Sequence, residues 1–291
     1  MPAALSPLQR DLLDWSERTR RDLPWRRTRD PWAVLVSELM LQQTQVARVV
    51  PKYGAFLRRF PTPAACASSS PGDVVRMWAG LGYNRRALNL HRCAVACVSL
   101  HGGALPETLD GLLALPGIGP YTARAVLAFA HEGDVGVLDT NAARVVARVA
   151  GRRLGPAEAQ AAADGFVPAG LGWSWNQAML DLGATTCTKR VVRCHDCPVA
   201  AHCSWHRAGQ PEPDPAEGSA GTSGPQSRFA GSDRQGRGRL VDAMRSADVD
   251  PADLAAVMGW PTDAERAGRV ASTLVLDGLA EITPEGRYRL P

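Results

Sequence analysis

LPGIGPYTA, residues Leu115 to Ala123, decides how the fold of this chain is read. The residues before it, TLDGLLA (Thr108–Ala114), have a helical pattern, and so do those after it, RAVLAFAHEG (Arg124–Gly133). Between them a turn built on Gly117, Ile118 and Gly119 leads into a helix that opens near Tyr121. The first N–H groups of a helix have no partner inside it, and the helix dipole favours negative charge there. The turn is therefore an anion site by geometry, and phosphate is its usual occupant. Thr122 falls in the first turn of the second helix.

Taken with Leu115, Pro116, Ile118, Thr122 and Ala123, the pattern resembles a helix-hairpin-helix, which grips one DNA backbone without reading sequence. A purely structural turn between two helices is the competing interpretation. Upstream lies DPWAVLVSELMLQQTQV, Asp30 to Val46. Asp30 suits a helix cap and Pro31 a first turn. From Ala33 the pattern is apolar except for Glu38, whose neighbours three and four residues away are Val34, Leu35, Leu41 and Gln42. A carboxyl held among Leu and Val has its charged form disfavoured, so Glu38 is expected to donate a proton near neutral pH.

Downstream, Asp139 precedes an amphipathic helix, where an Asp normally caps. Further on, Cys187, Cys194, Cys197 and Cys203 crowd into one cationic loop with Lys189, Arg190, Arg193 and Arg207. Four thiolates at this spacing close around one tetrahedral site, and both zinc and a [4Fe–4S] cluster accept four cysteines. The spacing does not separate the two. Cys66, Cys93 and Cys97 read as small buried hydrophobes.

The 291 residues carry a net charge of +4, and nearly every cation is Arg, the only lysines being Lys52 and Lys189. Arg binds phosphate in two-pronged fashion, which suits an acidic partner. The charged N-terminus is not a signal peptide, and no run approaches the roughly 20 apolar residues of a membrane helix. The expected place is the cytoplasm. Helical patterns start at residues 7–20 and recur to about residue 186, with another around Val50–Phe60 and a long one from about Asn84. The expected class is all-α. Residues 208–230 are mostly Pro, Gly, Ser and acid and read as a flexible linker. Helices are expected near Gly238–Ala247, Pro251–Met258 and Thr262–Leu276, then two short strands around Pro-Glu-Gly, a small winged-helix-like pattern over 231–291. Its arginines suit DNA contact or an ordinary solvated face.

LPWR (Leu23–Arg26), SELMLQQTQV, GLGY (Gly80–Tyr83), LPGIGPYTA, VLDTN, WNQAMLDLGA and the four-cysteine loop occur in the order of a known family. From about Leu8 to Trp205 the chain resembles the MutY-type adenine DNA glycosylases, helix-hairpin-helix enzymes related to endonuclease III. The resemblance implies a six-helix barrel at about 29–136, a cluster domain from 1–28 plus 137–207, and a [4Fe–4S] cluster rather than zinc. It implies Glu38 as the acid that protonates adenine and Asp139 as the carboxylate that steadies the sugar cation, with Asn141 and Tyr121 orienting the pair. It implies a base pocket of Trp25, Arg26, Leu41 and Gln177. Gln43, Thr44 and Tyr83 match residues that wedge into the duplex, and Gly117, Ile118 and Gly119 would hold phosphate.

Bifunctional relatives carry Lys where this chain has Tyr121, so base excision without strand cleavage is expected. The expected partner is double-stranded DNA holding an adenine mispaired with 8-oxoguanine or guanine, bound by a monomer at the nucleoid. A thymine or uracil mismatch glycosylase on the same scaffold and a non-catalytic mismatch binder are the alternatives. Two departures stand out: Asn84 replaces a second aromatic after Tyr83, and no large Nudix-like C-terminal domain follows the linker.

Overall fold

The computed structural model describes residues 4–222 and 228–291. Residues 1–3 of the expected core and 223–227 of the expected linker lie outside the described residues. The helices run in chain order as α1 (Pro7–Thr19), α2 (Pro31–Leu41), α3 (Val46–Arg59), α4 (Pro63–Ala67), α5 (Pro71–Met77) and α6 (Arg85–Leu100). The hairpin is α7 (Leu109–Leu113) and α8 (Pro120–Ala130), followed by α9 (Thr140–Ala150), α10 (Pro156–Phe166), α11 (Gly172–Thr185) and α12 (Ser204–Arg207). The tail holds α13 (Asp233–Met244), α14 (Leu254–Met258), α15 (Ala264–Asp277) and the strands β1 (Glu281–Ile282) and β2 (Tyr288–Arg289).

Contacts divide the chain into two units. The first comprises residues 1–34, 107–109 and 119–225; the second comprises 35–106, 110–118 and 226–291. The sequence pattern set 231–291 apart, whereas these contacts group it with 35–106.

In the first unit α11 packs against α1, α8 and α9. Its core includes Leu12, Val146, Trp175 and Leu182, and full burial of a leucine such as Leu182 contributes roughly 2 kcal/mol. Small residues let the helices close. A Cβ on Gly183 would stand 2.7 Å from the Asn141 Cβ, so α9 and α11 meet where only hydrogen fits. Ser6 and Gln9 form a reciprocal cap that starts α1.

Residues 208–222, expected as linker, are instead held against this first unit. Leu154 N donates to Ser219 Oγ at 3.1 Å, Ala220 N to the Leu154 carbonyl at 3.0 Å, and Trp205 Nε1 to the Pro211 carbonyl at 2.9 Å. Asp214 also pairs with Arg148, a residue 2% exposed. A buried cation needs a counter-charge, and this polar segment supplies it. Its composition hid that role because the segment buries charge and small residues, not large apolar ones.

In the second unit Phe56, Phe60 and Trp78 pack edge to face at centroid distances of 4.9 and 5.9 Å, the preferred aromatic geometry. α6 lies against α4 and α5, and Arg86, Leu90, Cys93, Ala94 and Cys97 make its buried stripe. Cys66, Cys93 and Cys97 are buried free thiols, as expected. α3 starts four residues before the expected Val50, capped from Gln45, with Pro51 inside it. The tail has the three helices and hairpin of the winged-helix-like pattern, with Val249 bridging to Tyr288 beside the Glu281↔Arg289 and Ile282↔Tyr288 pairs. α13 begins at Asp233, ahead of the expected Gly238, because Ser232 caps it and Gly236 sits against the Trp260 ring, where a Cβ would come within 2.2 Å.

Candidate active site, DNA-contact loops and cysteine centre

α2 starts where Asp30 Oδ1 accepts from Trp32 N at 3.0 Å. Every residue from Trp32 to Met40 is buried, Glu38 included at 5% exposure. From Trp32 to Met40 the helix has no solvated face, so the Glu38 side chain is held away from water. Leu41, at the end of the helix, is half-buried.

The loop after α2 carries Gln43 at φ +56°, and the GLGY loop carries Tyr83 at φ +48° and 48% exposed. Left-handed backbone is uncommon for such residues and costs about 1–3 kcal/mol each, which surrounding structure must enforce. Arg86 enforces it. Its Nη1 donates to the Leu39 and Met40 carbonyls, and its Nη2 to Thr44 Oγ1 at 3.0 Å and to the Leu81 and Gly82 carbonyls at 3.1 and 3.0 Å. The guanidinium also lies over the Trp78 and Tyr83 rings. Burial pulls its pKa down to about 10. Arg86 went unmarked in the sequence, although an arginine on the stripe of Leu90, Cys93 and Cys97 was a signal that it turns inward. Thr44 Oγ1 also donates to the Leu81 carbonyl at 3.1 Å, so Thr44 links the two loops.

In the hairpin, Gly117 takes φ +78°, and a Cβ there would stand 2.5 Å from the Asn89 Cβ. Nothing lies within 4 Å of a Cβ on Gly119. Two of the expected contact side chains face inward: Ile118 is 7% and Thr122 1% exposed. Both side chains anchor the turn from beneath, and Ile118 N donates to the Leu115 carbonyl at 3.2 Å, closing it. Tyr121, in the first turn of α8, is half-buried.

In the first unit Asp139 caps α9. Its Oδ1 accepts from Asn141 N and Ala142 N at 2.8 and 2.7 Å, and its Oδ2 from Asn141 Nδ2 at 3.0 Å. Burial raises its pKa, opposed by these hydrogen bonds and by the Arg144 charge. Arg144 in turn donates to Asn141 Oδ1 at 3.0 Å and to the Gly183 and Cys187 carbonyls. Asp139 and Asn141 are thus brought together, and Arg144 holds Asn141 from behind.

Trp25 and Gln177 are buried, at 7% and 4% exposure. Arg26 is held by a partner the sequence did not reveal: its Nη1 and Nη2 donate to the two oxygens of Asp181 at 2.7 and 2.9 Å, and Arg21 Nε adds a third bond at 2.5 Å. Burial opposes ionisation of Asp181, but hydrogen bonds and charge from Arg26 and Arg21 leave its pKa lowered. Asp181 lies one helical turn beyond Gln177 on α11. Their i, i+4 spacing was the available clue.

All four loop cysteines line one cavity with Arg148 and Trp205. Arg148 Nη1 donates to Cys187 Sγ at 3.2 Å, Gln210 Nε2 to Cys194 Sγ at 3.3 Å, and Cys203 Sγ to the Arg148 carbonyl at 3.2 Å. Burial pushes Cys197 up to about 12 and raises Cys194 and Cys203 as well. Among the described residues no three His, Cys, Asp or Glu converge closely enough for a single ion. Four thiols around one cavity, with donors aimed at two of the sulfurs, are a set that zinc and a [4Fe–4S] cluster both accept.

No helix among the described residues is long and apolar enough to cross a membrane. Residues 36–167 match the family described as HhH-GPD superfamily base excision DNA repair protein. The chain is 43% identical to the adenine DNA glycosylase of Mycolicibacterium smegmatis, over 99% of this chain and 96% of that one. It resembles the structure of a thermostable thymine-DNA glycosylase with a TM-score of 0.63 at 27% identity, covering 69% of this chain and 95% of that one. It also resembles a trapped endonuclease III–DNA covalent intermediate with a TM-score of 0.61 at 20% identity, covering 72% of this chain and 100% of that one, a likeness of fold.

Proposed function

This chain belongs to the adenine DNA glycosylases of the HhH-GPD superfamily, and we propose that it excises adenine paired with 8-oxoguanine or guanine in duplex DNA. It is a base excision repair enzyme that hydrolyses N-glycosyl bonds, and DNA is its partner. Adenine is an undamaged base, so selectivity must come from reading its partner across the helix. The loops of Gln43, Thr44 and Tyr83 support that reading, since two strained backbones and an exposed aromatic ring suit a wedge that opens the pair. The extruded adenine would enter a pocket of Trp25, Arg26, Leu41 and Gln177, with Asp181 keeping Arg26 in place.

In the proposed chemistry Glu38 protonates a ring nitrogen of adenine, and the bond electrons leave with the base. The sugar becomes an oxocarbenium ion, which the Asp139 carboxylate stabilises before water adds at the anomeric carbon and gives its proton to the Glu38 carboxylate, restoring the acid. The observation that carries this assignment is Glu38 at 5% exposure in a helix whose other residues, Ser37 apart, are apolar. Asn141 holds the second oxygen of Asp139, and Tyr121 completes the orienting set. The turn of Gly117, Ile118 and Gly119 would hold a phosphate through the N–H groups of its two glycines, with Ile118, whose N–H closes the turn onto Leu115, and Thr122 supporting it.

Cys187, Cys194, Cys197 and Cys203 would hold a [4Fe–4S] cluster, which when bound ties the loop of Lys189, Arg190 and Arg193 into the fold. The proposed setting is the cytoplasm at the nucleoid, with the protein acting as a monomer. The proposed organisation is a glycosylase core over 1–207, to which 208–222 adds, and a small winged-helix-like tail over 231–291 that groups with 35–106.

The test is incubation with duplexes containing 8-oxoG:A, G:A, G:T or G:U, followed by alkali. Adenine-strand nicks that need alkali support the reading, because Tyr121 has no amine with which to cut the strand. Nicks at thymine or uracil alone would instead establish the pyrimidine enzyme.

A further inference from the structure

The three side chains that follow Tyr83 are held from two sides of the second unit. Arg86 turns inward, to the carbonyl end of α2 and to the Leu81 and Gly82 carbonyls. Asn84 and Arg85 turn to the tail. Arg245, the residue that ends α13, donates from Nη2 to Asn84 Oδ1 at 2.8 Å and from Nε to the Val75 carbonyl at 3.2 Å. Arg85 pairs with one oxygen of Asp277, the last residue of α15, and Arg237 of α13 pairs with the other.

The tail that supplies these groups is itself fixed. Gly72 N donates to the Pro291 carbonyl at 2.6 Å, and a Cβ on Gly72 would stand 2.4 Å from that oxygen, so α5 and residue 291 meet where only hydrogen fits. The Arg245 side chain is 11% exposed, while its ion-pair partner Asp242 lies at the surface. The Asn84 amide and the Val75 carbonyl are thus its inner acceptors. A largely buried guanidinium holds such acceptors firmly, because breaking either bond leaves charge poorly paired away from water. Asn84 stands where the family often has an aromatic, and its amide offers Arg245 a carbonyl oxygen that an aromatic ring would not.

Resting on the adenine glycosylase reading above, we propose that the tail braces the wedge: Arg245 and Asp277 are positioning residues that hold Asn84 and Arg85 so that Tyr83 keeps its left-handed backbone, and the tail sharpens the distinction between mispaired and matched DNA through this loop, not by reading the duplex. Such backbone persists at a tyrosine only where its surroundings over-determine it. Arg86 ties down the carbonyls before Tyr83, and the tail ties down the two side chains after it, so the residue is gripped at both ends. A loop released at one end spends part of its time in other shapes, and affinity for the mispair falls with the competent fraction.

The experiment is amide hydrogen exchange over residues 80–86 of the whole protein without DNA, with duplex binding measured alongside. Arg245→Met should speed exchange there by about tenfold, the worth of one charge-assisted hydrogen bond. Asn84→Ala should do the same, the double variant should match Arg245→Met, and Asn84→Asp, which keeps the acceptor, should exchange as wild type. In Arg245→Met, affinity for a duplex carrying an uncleavable 2′-fluoro analogue of deoxyadenosine opposite 8-oxoguanine should weaken by up to the same factor, and affinity for a matched duplex should not. The slope of log affinity against log salt should stay that of wild type, since no phosphate contact is lost. Unchanged exchange over 80–86 overturns the brace. A slope reduced by about 1 makes Arg245 a phosphate contact and overturns it too, and equal weakening for both duplexes removes its role in discrimination. If Arg245→Met fails to fold, Asn84→Ala, at the other end of the same bond, answers the question. Exchange is read on the free protein, so absence of adenine excision by wild type would sink the enzymatic reading separately from the brace.

Discussion

Arg86 donates to the Thr44 hydroxyl at 3.0 Å, binding the loop that follows the Glu38 helix to the loop that presents Tyr83. The same guanidinium closes the carbonyl end of α2. Arg86→Met keeps most of the volume but leaves buried carbonyls without donors. Loss of about 2–4 kcal/mol is expected, read as a lower urea midpoint, together with weaker discrimination of mismatched from matched duplex. A variant as stable and selective as wild type would show that the loops hold their shape unaided.

Glu38→Gln retains size and hydrogen bonding but has no proton to give. Single-turnover excision should fall by about 10²–10⁴, with duplex affinity close to wild type. Residual turnover within about tenfold of wild type would remove Glu38 as the acid.

Asp139 both caps α9 and is proposed to face the sugar cation. Asn caps about as well as Asp, so Asp139→Asn should fold and bind DNA while losing excision. Because burial raises the folded pKa of Asp139, its contribution to stability is present below the ordinary carboxylate value and lost as pH rises through the folded one. Wild type should accordingly lose stability relative to Asp139→Asn on going from acid to neutral pH. Urea midpoints of both proteins, followed across that range, check the sign.

Asp181→Asn strands the Arg26 guanidinium, which is 8% exposed, with one carboxylate fewer. Removing a partner from a buried ion pair costs about 3–5 kcal/mol. The thermal midpoint should drop, and excision should fall with it through a displaced Arg26. An unchanged midpoint would mean that Arg21 and Arg26 find other acceptors.

Asp214→Ala leaves Arg148 without its carboxylate beside Cys187. The iron-to-protein ratio and visible absorbance of purified protein should fall, and Asp214→Glu should recover part of both. Full iron content in Asp214→Ala would show that residues 208–222 do not shelter the cysteine centre. Replacing Cys197 with Ser should remove the iron outright.

What could be read from the chain alone was local. The hairpin turn, the apolar helix around Glu38 and the cysteine loop each announce themselves within about 20 residues, because turn chemistry, helical period and ligand spacing act over short separations. Even the tail's three helices and hairpin were legible. The ties that make these parts function were not: Asp181 to Arg26 spans 155 residues, Asp214 to Arg148 spans 66, and Arg245 to Asn84 spans 161. Such pairs carry no periodic signature, and an acid in a Pro- and Gly-rich stretch looks solvated until a buried cation is found beneath it. The inward turn of Ile118 and Thr122 was missed for a related reason. A motif names the residues of a turn without saying which side of it meets the ligand.

Gln43 and Tyr83 both hold left-handed backbone, Arg86 tying together the loops that carry them. The cost of that shape is met once, when the chain folds, and not again at every base pair the protein inspects. If these loops are the proposed wedge, scanning needs no reshaping of the probe. Each step along the helix becomes a question put to the DNA, which yields at a weak pair and resists at a sound one.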